Sequence, residues 1–475
     1  MYFEQFYLTC LAHASYMIGS EGEAAVIDPQ RDVDLYLKVA QEQNLRIRHI
    51  FETHLHADFV SGHKELAART GAQIYIGAQA AAGFAHVALR DGVEVRVGRV
   101  RVRALETPGH TPESVCLVVC DEETSAQPWA VLTGDTLFIG DVGRPDLSRS
   151  HTPQQLAASL YASLHQKLMS LPDGVLVYPA HGAGSLCGRA MRAEKSSTIG
   201  TERLTNYALQ IPSREEFVRQ LTTNLPARPE YFLEDAEINR TGAATLKDLA
   251  PLLALSPADL QALLEQNVYV LDVRPGEQFA AGHVPGSVNI ALAGQFASWA
   301  GGILGIHSRP ALVAETDAQI EEARMRLARV GIEDLCGYLA GGIAAWKNAG
   351  FPLHETPQIS VQELHQKLSE GNERSLGGPE IDVLDVRREG EWQAGHIAQA
   401  ELRALDTFPQ SLPEIGVSRT VAVHCKGGYR SIIACSLLER AGHRNVVNVT
   451  GGFDAWRAAG LPEVAERDFR LSKAG

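Results

Sequence analysis

Two groups of side chains in this 475-residue chain have the types and spacing for chemistry. The first runs through the N-terminal 181 residues: His54, His56 and Asp58 in Thr53-His54-Leu55-His56-Ala57-Asp58, His110 in Thr107-Pro108-Gly109-His110, Asp135 in Gly134-Asp135, and His181 in Pro179-Ala180-His181. Imidazole nitrogen and carboxylate oxygen are the donors that a borderline divalent cation selects. The second is Cys425-Lys426-Gly427-Gly428-Tyr429-Arg430, four residues between a cysteine and an arginine. Gly427 and Gly428 let a tight loop turn its N–H groups toward the sulfur. Lys426, Arg430 and the start of the next helix add positive potential, so a thiolate, or a persulfide carried on it, is favoured there. Taken alone, a Cys-x4-Arg loop suits a phosphatase as well as a sulfur carrier.

Each of these motifs must be delivered by a rigid element. Strand-like segments at 45–51, 100–104, 129–133 and 174–178 each end at one member of the histidine and aspartate set, and residues 421–424 run straight into Cys425. Strands ending at one sheet edge can bring four loops to a single ion. His13, His49, His63, His86 and His165 lack such context and read as structural or surface residues, and Cys187 reads as a small packed residue in a glycine-rich loop.

The C-terminal half is duplicated. Val270-Leu271-Asp272-Val273-Arg274 recurs as Val383-Leu384-Asp385-Val386-Arg387, with Phe279 matching Trp392 and Gly282-His283 matching Gly395-His396 at the same offset of 113. Ala340-Gly341-Gly342 and Trp346 recur at an offset of 110 as Thr450-Gly451-Gly452 and Trp456. Alternating strand and helix patterns in each copy predict a parallel sheet flanked by helices. The segment 225–242, with Pro226 and Pro229, reads as a linker, as does the stretch from Pro352 to Pro357. At roughly 150 residues per domain the length suggests about three domains, here 1–240, 241–355 and 356–475.

With 45% apolar and 21% charged residues, fibrous, low-complexity and disordered classes are excluded. No apolar run approaches the ~20 residues of a membrane span, and no basic patch precedes an apolar stretch at the N-terminus, so neither a membrane segment nor a secretory signal is expected. A net charge of −14 opposes binding to nucleic acid or to an anionic membrane. Seven scattered cysteines form no disulfide framework and point to a reducing cytoplasm.

The order of the N-terminal motifs resembles the metallo-β-lactamase superfamily, which implies an αββα sandwich with the metal at one edge. Two-metal members carry a histidine directly after the motif aspartate; here that residue is Phe59, which cannot ligate, and this favours one metal. The run from Gly134-Asp135-Thr136-Leu137 through Gly143-Arg144-Pro145-Asp146-Leu147 is similar to the persulfide dioxygenase branch. That resemblance implies one Fe(II) held by His54, His110 and Asp135, with Arg144 beside the thiol-substrate pocket, and His56, Asp58 and His181 as neighbours of the ligands or ligands of an alternative second metal. Members using glutathione often have a tyrosine shortly after the last motif histidine, where this chain has Gly182-Ala183-Gly184.

The duplicated half resembles the rhodanese sulfurtransferases, whose active loop has the six-residue length of Cys425 to Arg430. Cys425 is then the sulfur acceptor, with Lys426, Gly427, Gly428, Tyr429 and Arg430 around its sulfur. The first copy has Ala314-Glu315-Thr316-Asp317 in place of the cysteine loop. Its acids would repel an anion, and Cys336 lies too far downstream to substitute. A spacer or docking role is expected for this copy.

The resemblances together imply an α/β chain: the αββα sandwich followed by two three-layer α/β/α domains. The expected function is oxidation of a low-molecular-weight thiol persulfide (glutathione, coenzyme A or a similar carrier) by O₂ to sulfite and thiol. This is coupled to formation or use of thiosulfate at Cys425. A cytoplasmic homo-oligomer, dimer or tetramer, is expected. The alternatives are a Zn-dependent thioester hydrolase of the glyoxalase II kind and a sulfur-carrier or scaffold protein with an idle metal site.

Overall fold

A computed structural model describes every residue except 224, 226, 375–380, 413, 414, 416–418 and 466–475. The chain divides into two compact units, residues 1–250 with 325–333, and residues 251–324 with 334–475.

The first unit is built on two six-stranded sheets. One contains β1 (Tyr2–Leu8), β2 (His13–Ser20), β3 (Glu23–Ile27), β4 (Arg46–Glu52), β5 (Gln73–Gly77) and β6 (Val87–Leu89) in sequential order. The other contains β7 (Glu94–Val97), β8 (Val100–Glu106), β9 (Val115–Asp121), β10 (Ala130–Gly134), β11 (Leu176–Pro179) and β12 (Ser197–Thr198), again in sequence across the sheet. Strand alternation sorts the side chains. On β9, Val115, Leu117 and Val119 meet Ile18, Ile27 and Phe51 of the facing sheet, while Cys116, Val118 and Cys120 pack under Ala157, Leu160 and Phe217 of the outer helices. The opposite faces of β2 to β4 are covered by Tyr36, Ala40 and Leu66. Both faces of both sheets are thus buried, and the layers run α, β, β, α.

The second unit holds two five-stranded, all-parallel sheets with one shared topology. The first has the order β13 (Ala254–Leu255), β17 (Gly337–Leu339), β16 (Ala311–Val313), β14 (Val270–Asp272), β15 (Val288–Asn289). The second repeats it with β18 (Gln358–Ile359), β22 (Val446–Val449), β21 (Thr420–His424), β19 (Ile381–Asp385), β20 (Ala400–Leu402).

The repeated motifs hold up the fold. Arg274 and Arg387 each form a buried ion pair with the aspartate two residues earlier, Nη2 to Oδ2 at 2.6 Å in both copies, and donate onward to the carbonyls of Gly282 and Gly395. His283 stacks on Phe279 and His396 on Trp392, with ring centroids 3.7 and 3.6 Å apart.

Both expected linkers are corrected. Residues 231–241 form a helix, Tyr231–Thr241, whose Tyr231, Phe232, Asp235 and Asn239 are buried in the first unit; the predicted linker residue Pro226 lies outside the described residues. Part of the polar composition that suggested a linker, Asp235 and Asn239, faces inward, while Glu237 is exposed. In the Pro352 to Pro357 stretch, His354 exchanges two backbone hydrogen bonds with His283 and Thr356 is buried. Among the described residues no helix is long and apolar enough to cross a membrane, and all seven cysteines are unpaired.

Candidate functional site

The loops after β4, β8, β10 and β11 meet at one edge of the sandwich. His54 Nε2 lies 3.8 Å and His110 Nε2 lies 3.4 Å from Asp135 Oδ2, and the two imidazoles stand perpendicular with centroids 5.0 Å apart. All three side chains are buried, and these three atoms have no hydrogen-bond partner. Their other polar atoms are held. His110 Nδ1 donates to the Arg144 carbonyl at 3.0 Å, which fixes the tautomer and leaves Nε2 as a lone pair. His54 Nδ1 meets Thr53 Oγ1 at 3.0 Å, and Asp135 Oδ1 meets His181 Nδ1 at 2.8 Å. Burial holds His54 and His110 below the usual imidazole range. For Asp135 burial works against the charge, but His181, His54 and His110 outweigh it and hold the carboxyl well below its usual range. Neutral imidazoles and an ionised carboxylate are the forms that bind a cation.

Gly143 explains why the run after Asp135 carries the glycine it does. A Cβ there would lie 2.0 Å from the Asp135 carbonyl oxygen and 2.8 Å from His110 Nδ1. The backbone of Gly143 and Arg144 therefore closes over the ligand atoms, and the Arg144 carbonyl orients His110.

The remaining histidines are turned elsewhere. His56 Nε2 sits 3.1 Å from Asp28 Oδ1 and 3.5 Å from Glu52 Oε2, both buried. Burial works against a charge on His56, but Asp28 and Glu52 raise its pKa above the usual imidazole value. His181 bridges the carboxylates of Asp135 and Asp58, its Nε2 2.9 Å from Asp58 Oδ2, and the two acids raise it well above the imidazole range despite burial. Phe59 is fully buried, its ring 4.2 Å from that of His13 and 4.5 Å from that of His56. Cys187 is buried as expected, and its sulfur also lies within 4.8 Å of the donor atoms of Asp58 and His181. Burial first, then Asp58 and Asp135, push its thiol well above the ordinary range. The Arg144 guanidinium is paired bidentately with Asp146, at 2.6 and 2.8 Å.

The second constellation lies at the end of β21. Cys425 is buried, 1% exposed, and its Sγ accepts the Gly428 N–H at 3.1 Å. Gly452 is required here: at φ +56° its Cβ would lie 2.4 Å from the Cys425 carbonyl oxygen and 2.7 Å from that of Lys426. Those carbonyls accept the N–H groups of Phe453 and Asp454, which anchors the loop. The predicted cationic cradle is partly spoken for. Arg430 is paired bidentately with Glu391, at 2.7 and 2.8 Å, and Lys426 is exposed, 3.8 Å from Asp454. Tyr429 donates its hydroxyl to the Ala291 carbonyl of the first copy at 2.8 Å. Beside the loop is a cavity of about 200 Å³ lined by Gly427, Gly428 and Tyr429 from the second copy and Glu277 and Ala291 from the first.

Residues 8–181 match the metallo-beta-lactamase superfamily model, and residues 256–349 and 360–459 each match the rhodanese-like domain. The mitochondrial persulfide dioxygenase ETHE1 of Bos taurus is 34% identical over 221 residues, 45% of this chain and 77% of that protein. A metallo-beta-lactamase from Staphylococcus aureus subsp. aureus COL, known as a crystal structure, is 32% identical, with 71% of this chain and 98% of that one covered and a TM-score of 0.64. The chain belongs to the metallo-β-lactamase superfamily. It carries two rhodanese-like domains behind the superfamily domain. A hydroxyacylglutathione hydrolase of Polaromonas sp. is 35% identical over 163 residues, 34% of this chain and 57% of that protein.

Membership of the metallo-β-lactamase superfamily implies a metal site, and His54, His110 and Asp135 fit one. Three buried donor atoms without partners, their remaining atoms fixed by hydrogen bonds, would be costly unless a cation satisfied them. The sequence reading missed Asp28, Glu52, Asn239 and Glu391. Asp28 accepts the Thr53 N–H at 2.7 Å and its hydroxyl at 2.9 Å, which sets the start of the ligand loop. Asn239 receives the Ser61 N–H and donates to the carbonyls of His56 and Phe59, which sets its end. None of these lies in a local motif; His13, read as structural or surface, is buried with its ring against Phe59.

Proposed function

We propose that this superfamily member oxidises low-molecular-weight thiol persulfides with O₂ and exchanges sulfane sulfur through Cys425. The overall reaction is RSSH + O₂ + H₂O → RSH + SO₃²⁻ + 2 H⁺. The observation that carries this reading is the set of partnerless His54 Nε2, His110 Nε2 and Asp135 Oδ2 on one face. Two histidines and one carboxylate with open positions are the ligand pattern of non-haem iron oxygenases. The similarity to a persulfide dioxygenase supports the same choice. A bound Fe(II) supplies the redox chemistry with O₂ that no side chain offers.

The chain's own residues bind and orient. Thr53 and the Arg144 carbonyl hold the two imidazoles, and His181 holds Asp135 by its Oδ1, which leaves Oδ2 free to hold a metal. Asp58 fixes the far nitrogen of His181. His56, paired with Asp28, is a support for the loop and not a ligand, and buried Phe59 packs against its ring.

At the rhodanese loop the balanced exchange is Cys425–S⁻ + S₂O₃²⁻ ⇌ Cys425–S–S⁻ + SO₃²⁻, with the Gly428 N–H directed at the sulfur. Sulfite made at the metal centre is a co-substrate of the reverse direction, so thiosulfate is the expected end product when persulfide is in excess.

The similarity to hydroxyacylglutathione hydrolases favours a second reading, thioester hydrolysis by zinc-bound hydroxide. The pairing of His56 with Asp28 and the presence of Phe59 weigh against it, because a second metal would lack those nitrogens. Metal-stripped chain reloaded with Fe²⁺ or Zn²⁺ separates the two. Sulfite from glutathione persulfide is expected with iron alone. Rapid thioester cleavage with zinc, and no sulfite with either metal, would overturn the dioxygenase reading.

A further inference from the structure

The duplicated half contains a cluster that neither repeat motif explains. His283 of the first copy has a fold-holding role that His396 shares: stacked on an aromatic ring, it donates Nδ1–H to the carbonyl of the residue four before it, at 2.9 Å in one copy and 3.0 Å in the other. Because a carbonyl only accepts, Nδ1 of His283 carries a proton, and Nε2 is the ring nitrogen left to face the neighbouring helix. His283 Nε2 lies 3.3 Å from Oε2 of Glu439, a buried carboxylate oxygen with no hydrogen-bond partner. A buried imidazole nitrogen and carboxylate oxygen facing each other are satisfied by a shared proton or by a cation between them.

A third donor stands on the same spot. His354 is held by the two backbone hydrogen bonds it exchanges with His283, its ring 5.3 Å from and nearly perpendicular to the His283 ring, and its Nε2 is 3.7 Å from Glu439 Oε1. The donor atoms of all three residues lie within 4.8 Å of one another. A tetrahedral ion with bonds of 2.0–2.1 Å sets its ligand atoms about 3.3 Å apart, which the His283–Glu439 separation matches and the 3.7 Å His354–Glu439 separation exceeds by a few tenths. Thr356 donates its hydroxyl to Glu439 Oε1 at 2.8 Å and so orients the carboxylate.

The second copy is an internal control. Its backbone makes the same bridge, but the residue opposite His396 is Val464, which cannot ligate. The first histidine therefore belongs to the fold, whereas His354 and Glu439 are additions.

We propose that His283, His354 and Glu439 form a binding site for a divalent transition cation, zinc by ligand type, that clasps the two rhodanese-like copies together. His283 and His354 come from the first copy and its C-terminal boundary. Glu439 comes from the last turn of the helix Tyr429–Arg440, whose first turn follows the Cys425 loop. The fourth position is open to water, since the His354 side chain is 44% exposed. The site gives the cysteine-lacking copy a purpose: it supplies two of three ligands that anchor the helix behind the active loop.

The test uses the full chain, stripped of metal and dialysed against micromolar free Zn²⁺, as wild type, His354→Ala and Glu439→Gln. Wild type is expected to retain one more equivalent of zinc than either variant, and to show a zinc-dependent rise in the unfolding temperature of the duplicated half that both variants lose. His354 is exposed enough for its alanine variant to fold, so that variant decides the matter if Glu439→Gln does not fold. Equal zinc content in wild type and His354→Ala would overturn the site and leave a proton-mediated His283–Glu439 pair in its place. The metal centre at His54, His110 and Asp135 is untouched by these changes, so loss of its metal content would not be mistaken for loss of the clasp.

Discussion

In the proposed centre His181 would govern the metal without touching it. Its imidazole links Asp135 to Asp58, so a His181→Ala variant leaves all three ligand types present but frees Asp135 to rotate. Removing an outer hydrogen-bond partner of a ligand typically costs about 10- to 100-fold in metal affinity or activity, and that loss is expected in a metal titration of this variant. Asp135→Ala, which deletes a ligand, should leave no stoichiometric metal at the site. Glu391 has the matching place at the sulfur loop. Burial opposes its charge, but the paired Arg430 outweighs burial and lowers its pKa. A lowered folded-state pKa stabilises the fold fully above the ordinary carboxylate range, and the contribution is lost as pH falls through the folded value. The gap in urea midpoint between wild type and Glu391→Gln should therefore be widest near neutrality and close on acidification below about pH 4.3; a gap that widened in acid would contradict the pairing.

Among the elements, the helix Tyr231–Thr241 is the one whose role changed most. Its proline-bordered, polar sequence reads as a linker, yet Asn239 clamps both ends of the segment from His56 to Ser61. Asn239→Ala leaves three backbone groups short of partners, at roughly 1–3 kcal/mol each if buried and unreplaced. A lowered unfolding midpoint of the first unit, together with weaker metal retention, is the expected result. The repeat motifs run the other way. Asp272 and Arg274 were legible as half of a duplication, but only the structure shows them as a buried bidentate pair serving the sheet. Asp272→Ala removes the bidentate partner of Arg274 and leaves it only Glu315 at 3.3 Å and the Gly282 carbonyl at 2.9 Å, so a lowered unfolding midpoint is expected in a copy that has no cysteine at the loop position. The strands that deliver His54, His110, Asp135 and His181 were readable because their alternation is local. Asp28, Asn239 and Glu391 were not, because each acts on a residue 25 or more positions away.

Across the whole molecule, a net charge of −14 coexists with two sites proposed for anionic sulfur compounds, so local arrangement would have to overcome the average field. At the cysteine loop Arg430 is shared with Glu391, which leaves the Gly428 N–H as the group directly on the sulfur. The two chemistries rest on separate residues in separate compact units. Cys425→Ala is accordingly expected to abolish transfer of sulfur between thiosulfate and an acceptor while leaving persulfide oxidation at the wild-type rate, and loss of both would refute that division. The central claim, oxidation of persulfide sulfur at the centre formed by His54, His110 and Asp135, is tested most directly with an oxygen electrode. Iron-loaded full-length chain given glutathione persulfide should consume one O₂ per sulfite formed, and His110→Ala should consume none. Sulfite or thiosulfate appearing without oxygen uptake, or uptake undiminished in His110→Ala, would contradict the account.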